Sequence, residues 1–169
     1  WTAELLMMIC DDGDCLDGIT LIVKDIINGD IMDPATRSRL LASVLIAAPK
    51  ASDPDGVRPI AMPEVLYKLA GALALQKVDI QASFPCIQLG VQQFGGAERA
   101  VHIIRTAAEA AGPDSVILAV DIQNAFNERS RQAIMERAIA TPAAAPILRL
   151  AQWAYGQSSD LLVYDRAGR

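Results

Sequence analysis

The sequence predicts a mixed α+β chain, rich in helix, with a few short strands. Three observations predict it. Apolar residues recur at helical spacing through most of residues 1–42 and again beyond Pro63, Gly96 and Pro142. Short apolar runs rich in β-branched residues, Val44–Ala48, Val116–Val120 and Leu161–Tyr164, sit between turn signals. The 169 residues are 52% hydrophobic and 21% charged, a composition that supports a core and excludes a disordered tail.

Taken in order, Leu5, Met8 and Ile9 form the apolar face of a first helix, and Leu16, Ile19, Ile22, Val23, Ile26 and Ile27 that of a second. Asn28-Gly29-Asp30 closes it, and Asp33 caps a third helix with Pro34 at its first position. Val44–Ala48, stopped by Pro49, reads as a buried strand. Ser52-Asp53-Pro54-Asp55-Gly56 carries tight-turn chemistry, because Asp-Gly supplies the positive φ of a hairpin turn. Val57–Ala61 is then the return strand, and Pro59 restricts it to an edge or a strand end. Pro63 opens a helix that buries Val65, Leu66, Leu69, Ala72, Leu73 and Leu75, to about Ile80. Gly95-Gly96 precedes an amphipathic helix with Ala97, Ala100, Val101, Ile104, Ala107 and Ala108 on one face and His102 on the other. Val116–Val120, apolar on both faces, is the strongest strand and ends at Asp121. Helices follow from Ser130 and from Pro142 to Tyr155, and Leu161–Tyr164 is a last strand.

No apolar run approaches the length of a membrane span, and the N-terminus lacks the basic start of a signal peptide. Cys10, Cys15 and Cys86, odd in number and irregular in spacing, fit reduced intracellular thiols, with Cys10 and Cys86 as small core residues. The net charge of −5 argues against a surface that grips nucleic acid all round. The charge is uneven, however: residues 1–36 hold eight acids and one base, a net −7, and residues 37–169 hold 14 bases and 12 acids, a net +2. There is no Walker loop, no Gly-x-Gly-x-x-Gly, no nucleophile elbow and no His-Glu-x-x-His.

Two places could carry chemistry. Asp121 at the end of a rigid strand could project a carboxylate into a cleft, although an Asp in that position is as readily a turn residue, as are Asn124 and Asn127. Lys50 and Arg58 flank the hairpin turn and could clamp phosphate oxygens, or merely be solvated.

In order, these pieces resemble reverse transcriptases of the non-LTR retrotransposon type. Leu45-Ile46-Ala47-Ala48-Pro49-Lys50, followed by Asp55-Gly56-Val57-Arg58-Pro59-Ile60, resembles the fingers hairpin of that family. Gln88-Leu89-Gly90-Val91 and Gly95-Gly96-Ala97-Glu98 resemble its next block. Ile117-Leu118-Ala119-Val120-Asp121-Ile122-Gln123-Asn124-Ala125-Phe126-Asn127 resembles its first palm motif, an Asp followed five residues later by an aromatic ring. Arg131, Pro142 and Trp153-Ala154-Tyr155 fit the stretch after it.

The resemblance implies the fingers and first palm portion of a polymerase right-hand fold, with a small, mostly antiparallel sheet over residues 43–169 and an N-terminal helical region, 1–42, of unassigned role. It implies RNA-directed DNA synthesis with two Mg²⁺ ions, a template–primer and dNTPs as partners, no membrane, and the remaining C-terminal part of the polymerase as a necessary companion. Asp121 and the Ile122 carbonyl would then lie at the metals, and Phe126 under the deoxyribose, excluding a 2′-hydroxyl. Lys50 and Arg58 would lie over the triphosphate. The family's Tyr-x-Asp-Asp motif is absent from these 169 residues, so the chain alone is expected to be inactive. Two other readings remain open on the residues: a non-catalytic nucleic-acid-binding remnant of this fold, and an unrelated small α/β nucleotide-binding domain.

Overall fold

Three short helices lead the chain, each started by a side chain that accepts an otherwise orphaned backbone N–H. The computed structural model describes residues 2–50, 53–79, 84–91, 93–122, 125 and 128–164, with backbone alone for 53–55. Helix α1 (Ala3–Cys10) is capped by Thr2, whose hydroxyl accepts from Leu5 at 3.2 Å. Helix α2 (Gly13–Asn28) is capped by Asp12, which accepts from the Cys15 N–H at 3.0 Å. Helix α3 (Pro34–Leu41) is capped by Asp33, which accepts from both the backbone N–H (2.8 Å) and the hydroxyl (2.7 Å) of Thr36. Pro34 occupies the first helical position. These bonds hold the Asp12 carboxyl, mainly through the Cys15 backbone, and the Asp33 carboxyl, mainly through the Thr36 hydroxyl, below the ordinary carboxylate range. Gly29 ends α2 in the left-handed region at φ +68°, and the Asp30 N–H returns to the Asp25 carbonyl at 2.8 Å.

Strand β1 (Ser43–Lys50) pairs antiparallel with β2 (Asp53–Pro63), and helix α4 (Val65–Leu75) follows, capped by Glu64. After α5 (Gly96–Ala110) and α6 (Arg131–Ile139), a 3₁₀ segment (Pro142–Ile147) leads into α7 (Leu148–Tyr155). Strand β3 (Leu161–Leu162) returns parallel to β1, with Ser43 opposite Leu161, so the sheet order is β2-β1-β3. Pro59 accordingly lies on an edge strand.

The chain divides into two compact units, Trp1–Lys77 with Pro146–Arg169, and Val78–Ala145. The first holds a core of Leu6, Ile19, Val23, Ile26, Leu41, Leu66, Ala70, Ala74, Leu150, Trp153 and Ala154, in which Ile26 is wholly buried. The buried faces differ from the expected stripes. Helix α1 buries Leu6 while Leu5 and Met8 are exposed, and α2 exposes Leu16 and Ile22. Helix α4 buries Leu66, Ala70 and Ala74, leaves Leu73 and Leu75 exposed, and ends at Leu75 rather than near Ile80. Pro63 terminates β2 instead of opening the helix. The physical reason is that the small Ala70 and Ala74 side chains allow close packing against α4, so the covered arc is narrower than the apolar arc.

Trp153 joins the N-terminal helices to α7. Its indole N–H donates to the Ile31 carbonyl at 2.9 Å, and its own carbonyl accepts from the Arg37 guanidinium. That guanidinium lies 5.7 Å from the centre of the Trp153 ring. Nearby, Arg149 pairs with Asp30 at 3.0 Å and the Ser38 hydroxyl donates to Asp160 at 3.1 Å. A Cβ on Gly29 would stand 3.0 Å from the Cβ of Trp153 and 3.2 Å from the Arg149 carbonyl.

In the second unit, Gly96 and Ala144 are the buried residues among those described. The expected strand Val116–Val120 is not formed: residues 116–122 carry no ladder, and Val116 and Leu118 are 91% and 82% exposed. A strand that is apolar on both faces needs partners on both sides and cover above and below, and the described strands β1–β3 all belong to the first unit. Cys86 is exposed rather than a core residue, and Cys10 is half-buried.

Three outcomes test this account. Ile26→Ala should lower unfolding free energy by about 2–5 kcal/mol in urea titrations, whereas Met8→Ala at an exposed site should change it little. Gly29→Ala should cost at least about 1–2 kcal/mol, the left-handed penalty, before its crowding against Trp153 is added. Asp12 and Asp33 have lowered folded-state pKa values, so their stabilisation is complete above about pH 4, the unfolded carboxylate value, and is lost as pH falls through the folded value. Asp12→Asn with Asp33→Asn should therefore flatten the acid side of the melting temperature against pH curve.

Candidate functional site

The hairpin is the first of the two expected sites. Its ladder runs from Ser43 opposite Pro63 to Pro49 opposite Val57, with Arg58 opposite Ala48. The next pair is Lys50 opposite Asp53, so between these pairs β1 advances by one residue and β2 by four. Asp55-Gly56 thus falls within β2, in a bulge, and not in the hairpin turn as expected; the connection itself lies at 51–52, outside the described residues. A glycine tolerates the bent backbone of a bulge as readily as that of a turn. Lys50 stands two residues beyond the partner of Arg58, so the hairpin brings the two cations to one end of the ladder. Lys50 is half-buried and Arg58 exposed. The strand expected to be buried is nowhere fully covered: Ser43–Leu45, Ala48 and Lys50 are half-covered, and Ile46, Ala47 and Pro49 open to solvent.

The second expected site lies in the other unit. Asp121 and Ile122 are both exposed and follow the unpaired run 116–120 without regular structure. Phe126, together with Gln123, Asn124 and Asn127, lies outside the described residues. Upstream, Gly95 starts α5 in the left-handed region at φ +62°, and Gly96 packs so tightly on the Leu89 carbonyl that a Cβ has no room there. The apolar face of α5 is uncovered: Val101, Ile104, Ala107 and Ala108 are exposed, and His102 lies at the surface as expected. Ile104, Ala107 and Ala108 form one wall, and Ser115, Val116 and Ile117 the other, of an open groove of about 400 Å³.

Among the described residues, no group of three His, Cys, Asp or Glu side chains is placed to hold a metal. Asp121 offers one carboxylate and Ile122 one carbonyl, against the near-octahedral oxygen set that Mg²⁺ demands. These residues alone do not make a Mg²⁺ site. Asp160, the acid nearest β3 among those described, accepts a hydrogen bond from Ser38 and supports the sheet instead. The Trp153 junction was not legible as a unit in the sequence; its signals were Gly29 after a helical stripe and a tryptophan beside Leu150 and Ala154 in the helix that ends at Tyr155.

Among the described residues no helix is long and apolar enough to cross a membrane. No protein-family model matches the chain, and no solved structure matches it. The chain is 33% identical over 168 residues to the retrotransposable element SLACS 132 kDa protein of Trypanosoma brucei gambiense. That alignment covers 98% of this chain and 14% of the relative's length. It therefore takes in the N-terminal helices as well as the segment with motifs, and the similarity links the whole chain to a segment of a retrotransposable element protein.

Proposed function

We propose that the chain is the fingers and leading palm portion of an RNA-directed DNA polymerase encoded by a retrotransposable element, active as part of a longer polypeptide. The observation that carries this reading is order. The Lys50–Arg58 hairpin, the Gly95-Gly96 helix start and the Asp121…Phe126 spacing follow one another within a chain similar throughout to a retrotransposable element protein.

The roles follow from chemistry. On the hairpin, Arg58 offers a forked donor and Lys50 a point charge, and together they suit the oxygens of an incoming triphosphate. Asp121 contributes one carboxylate, and the Ile122 carbonyl a further oxygen, to a metal site that carboxylates from outside this chain must complete. Mg²⁺ held there would supply electrostatic stabilisation of nucleotidyl transfer. Phe126 gives a bulky ring where a deoxyribose is to be preferred to a ribose. The net +2 of residues 37–169 suits contact with a template–primer phosphate backbone, while residues 1–36, with eight acids and one base, carry the excess negative charge.

A second reading, a nucleic-acid-binding remnant without catalysis, draws on the lack of a metal-competent cluster among the described residues. It predicts template–primer binding that Asp121→Ala leaves intact in every context.

Primer extension separates the two. These 169 residues should bind template–primer with an affinity that falls steeply with salt, and should extend no primer in Mg²⁺. In a polypeptide that continues through a Tyr-x-Asp-Asp motif, extension should appear, and Asp121→Asn should slow it by on the order of 100-fold or more at unchanged template–primer affinity. Phe126→Ala should there raise incorporation of ribonucleotides relative to deoxyribonucleotides. Unimpaired extension by the Asp121→Asn protein would falsify the assigned role, and no extension in that longer polypeptide would favour the remnant.

A further inference from the structure

Helix α2 turns one apolar side to the core and leaves two large apolar residues on its outer side. Ile19, Val23 and Ile26 face inward. On the opposite side, Asp14, Asp17, Leu21 and Asp25 follow one another at spacings of three and four residues, with Gly18 and Ile22 beside them. Leu21 is 61% and Ile22 41% exposed. Leu21 thus stands largely in solvent among three aspartates.

Gly18 is unexplained by the fold. It sits in the interior of a regular helix, its φ is not positive, and a Cβ built on it meets nothing within 4 Å. Neither backbone conformation nor packing inside the chain requires glycine there, yet a glycine at such a position costs about 1 kcal/mol relative to alanine. What it does provide is a notch beside Leu21 and Ile22, into which the side chain of another helix can fit and let the two helices approach closely.

The charge around the notch has one sign. Asp14, Asp17 and Asp25 border it, Lys24 is the one base on the helix, and residues 1–36 as a whole carry a net −7. Such a surface repels phosphates, whether of a nucleic acid or of an anionic lipid. It complements a helix that presents leucine-like side chains flanked by lysine or arginine.

We propose that the outer face of α2, built on Gly18, Leu21 and Ile22 and rimmed by Asp14, Asp17 and Asp25, docks a basic amphipathic helix of a protein partner. This surface is separate from the polymerase reading and does not rest on it. Partner side chains fill the notch and cover Leu21, while the aspartates pair with the flanking cations and set orientation.

The test is fluorescence anisotropy on the 169-residue chain with a labelled synthetic Leu/Lys amphipathic helix of about 18 residues, long enough to hold helical structure. A Leu/Glu peptide of the same pattern serves as the sign control. The Leu/Lys peptide should bind, with affinity falling as salt rises, and the Leu/Glu peptide should not. Gly18→Gln and Leu21→Ser should each weaken binding by about tenfold, as loss of a central apolar contact does. Gly18→Gln should at the same time raise the melting temperature, because it improves helix propensity, so lost binding cannot be ascribed to lost fold. Met32→Ser, at an exposed site outside α2, should leave binding unchanged. Equal binding of both peptides, binding of neither, or binding indifferent to both Gly18→Gln and Leu21→Ser overturns the proposal.

Discussion

The first unit depends on what Trp153 does at once with its ring and its backbone. Its indole covers part of the core, its N–H satisfies the Ile31 carbonyl, and its own carbonyl is satisfied by Arg37. Both carbonyls belong to segments that leave the helical ladder, where an unmet acceptor away from water costs about 1–3 kcal/mol. The two bonds tie residues 31–37 to α7 although more than a hundred residues separate them in sequence. Loop-closure entropy on that scale is offset only if several contacts form together, and Arg149–Asp30 and Ser38–Asp160 form at the same junction. Once α3 and α7 are joined, the start of β1 and the start of β3 lie side by side, and the Ser43 N–H meets the Asp160 carbonyl at 3.0 Å. The sheet that carries Lys50 therefore hangs from the Trp153 junction.

The two units contrast in how they answer one constraint, that an apolar side chain gains free energy only when something covers it. In the first, α1, α2, α4 and α7 cover one another and leave Ile26 with no exposure. In the second, α5 offers a well-formed apolar face and residues 116–122 an apolar run, and among the described residues neither finds a cover. The local chemistry is sound in both cases. Gly95 starts α5 with the backbone it needs, and Ser130 caps α6 by accepting from the Ala133 N–H at 3.3 Å.

This contrast explains what was legible in the sequence. Features settled by a few neighbouring residues were readable: Asp33-Pro34 as a helix start, Gly29 as a helix end, a helix from Ser130, Pro59 on an edge strand. Features that depend on a distant partner were not. Val116–Val120 has every local property of a strand, but pairing is supplied by another segment, and composition cannot report whether that segment is present. The buried arc of α4 differs from its apolar stripe for the same reason, since Ala70 and Ala74 become core where α2 packs on α4. Of the candidate site, the hairpin cations were legible because register is local to a hairpin. The hairpin connection precedes the Asp-Gly pair, because Asp-Gly serves a bulge as well as it serves a turn.

The same distinction between local and global governs the charge. A net −5 averages over residues that no single ligand meets together, because a charge more than about 8 Å away is largely screened at physiological salt. A ligand that reached the end of the β1–β2 ladder would meet Lys50 and Arg58, with Asp53 opposite Lys50 in register; one that reached the outer side of α2 would meet Asp14, Asp17 and Asp25. Both surfaces belong to the first unit, where the shared core and the Trp153 junction keep the acidic helices and the cationic hairpin in one framework. With eight of the chain's acids within residues 1–36, the first unit concentrates negative charge on its leading helices and their caps, while the β1–β2 ladder carries Lys50 and Arg58 alongside Asp53 and Asp55.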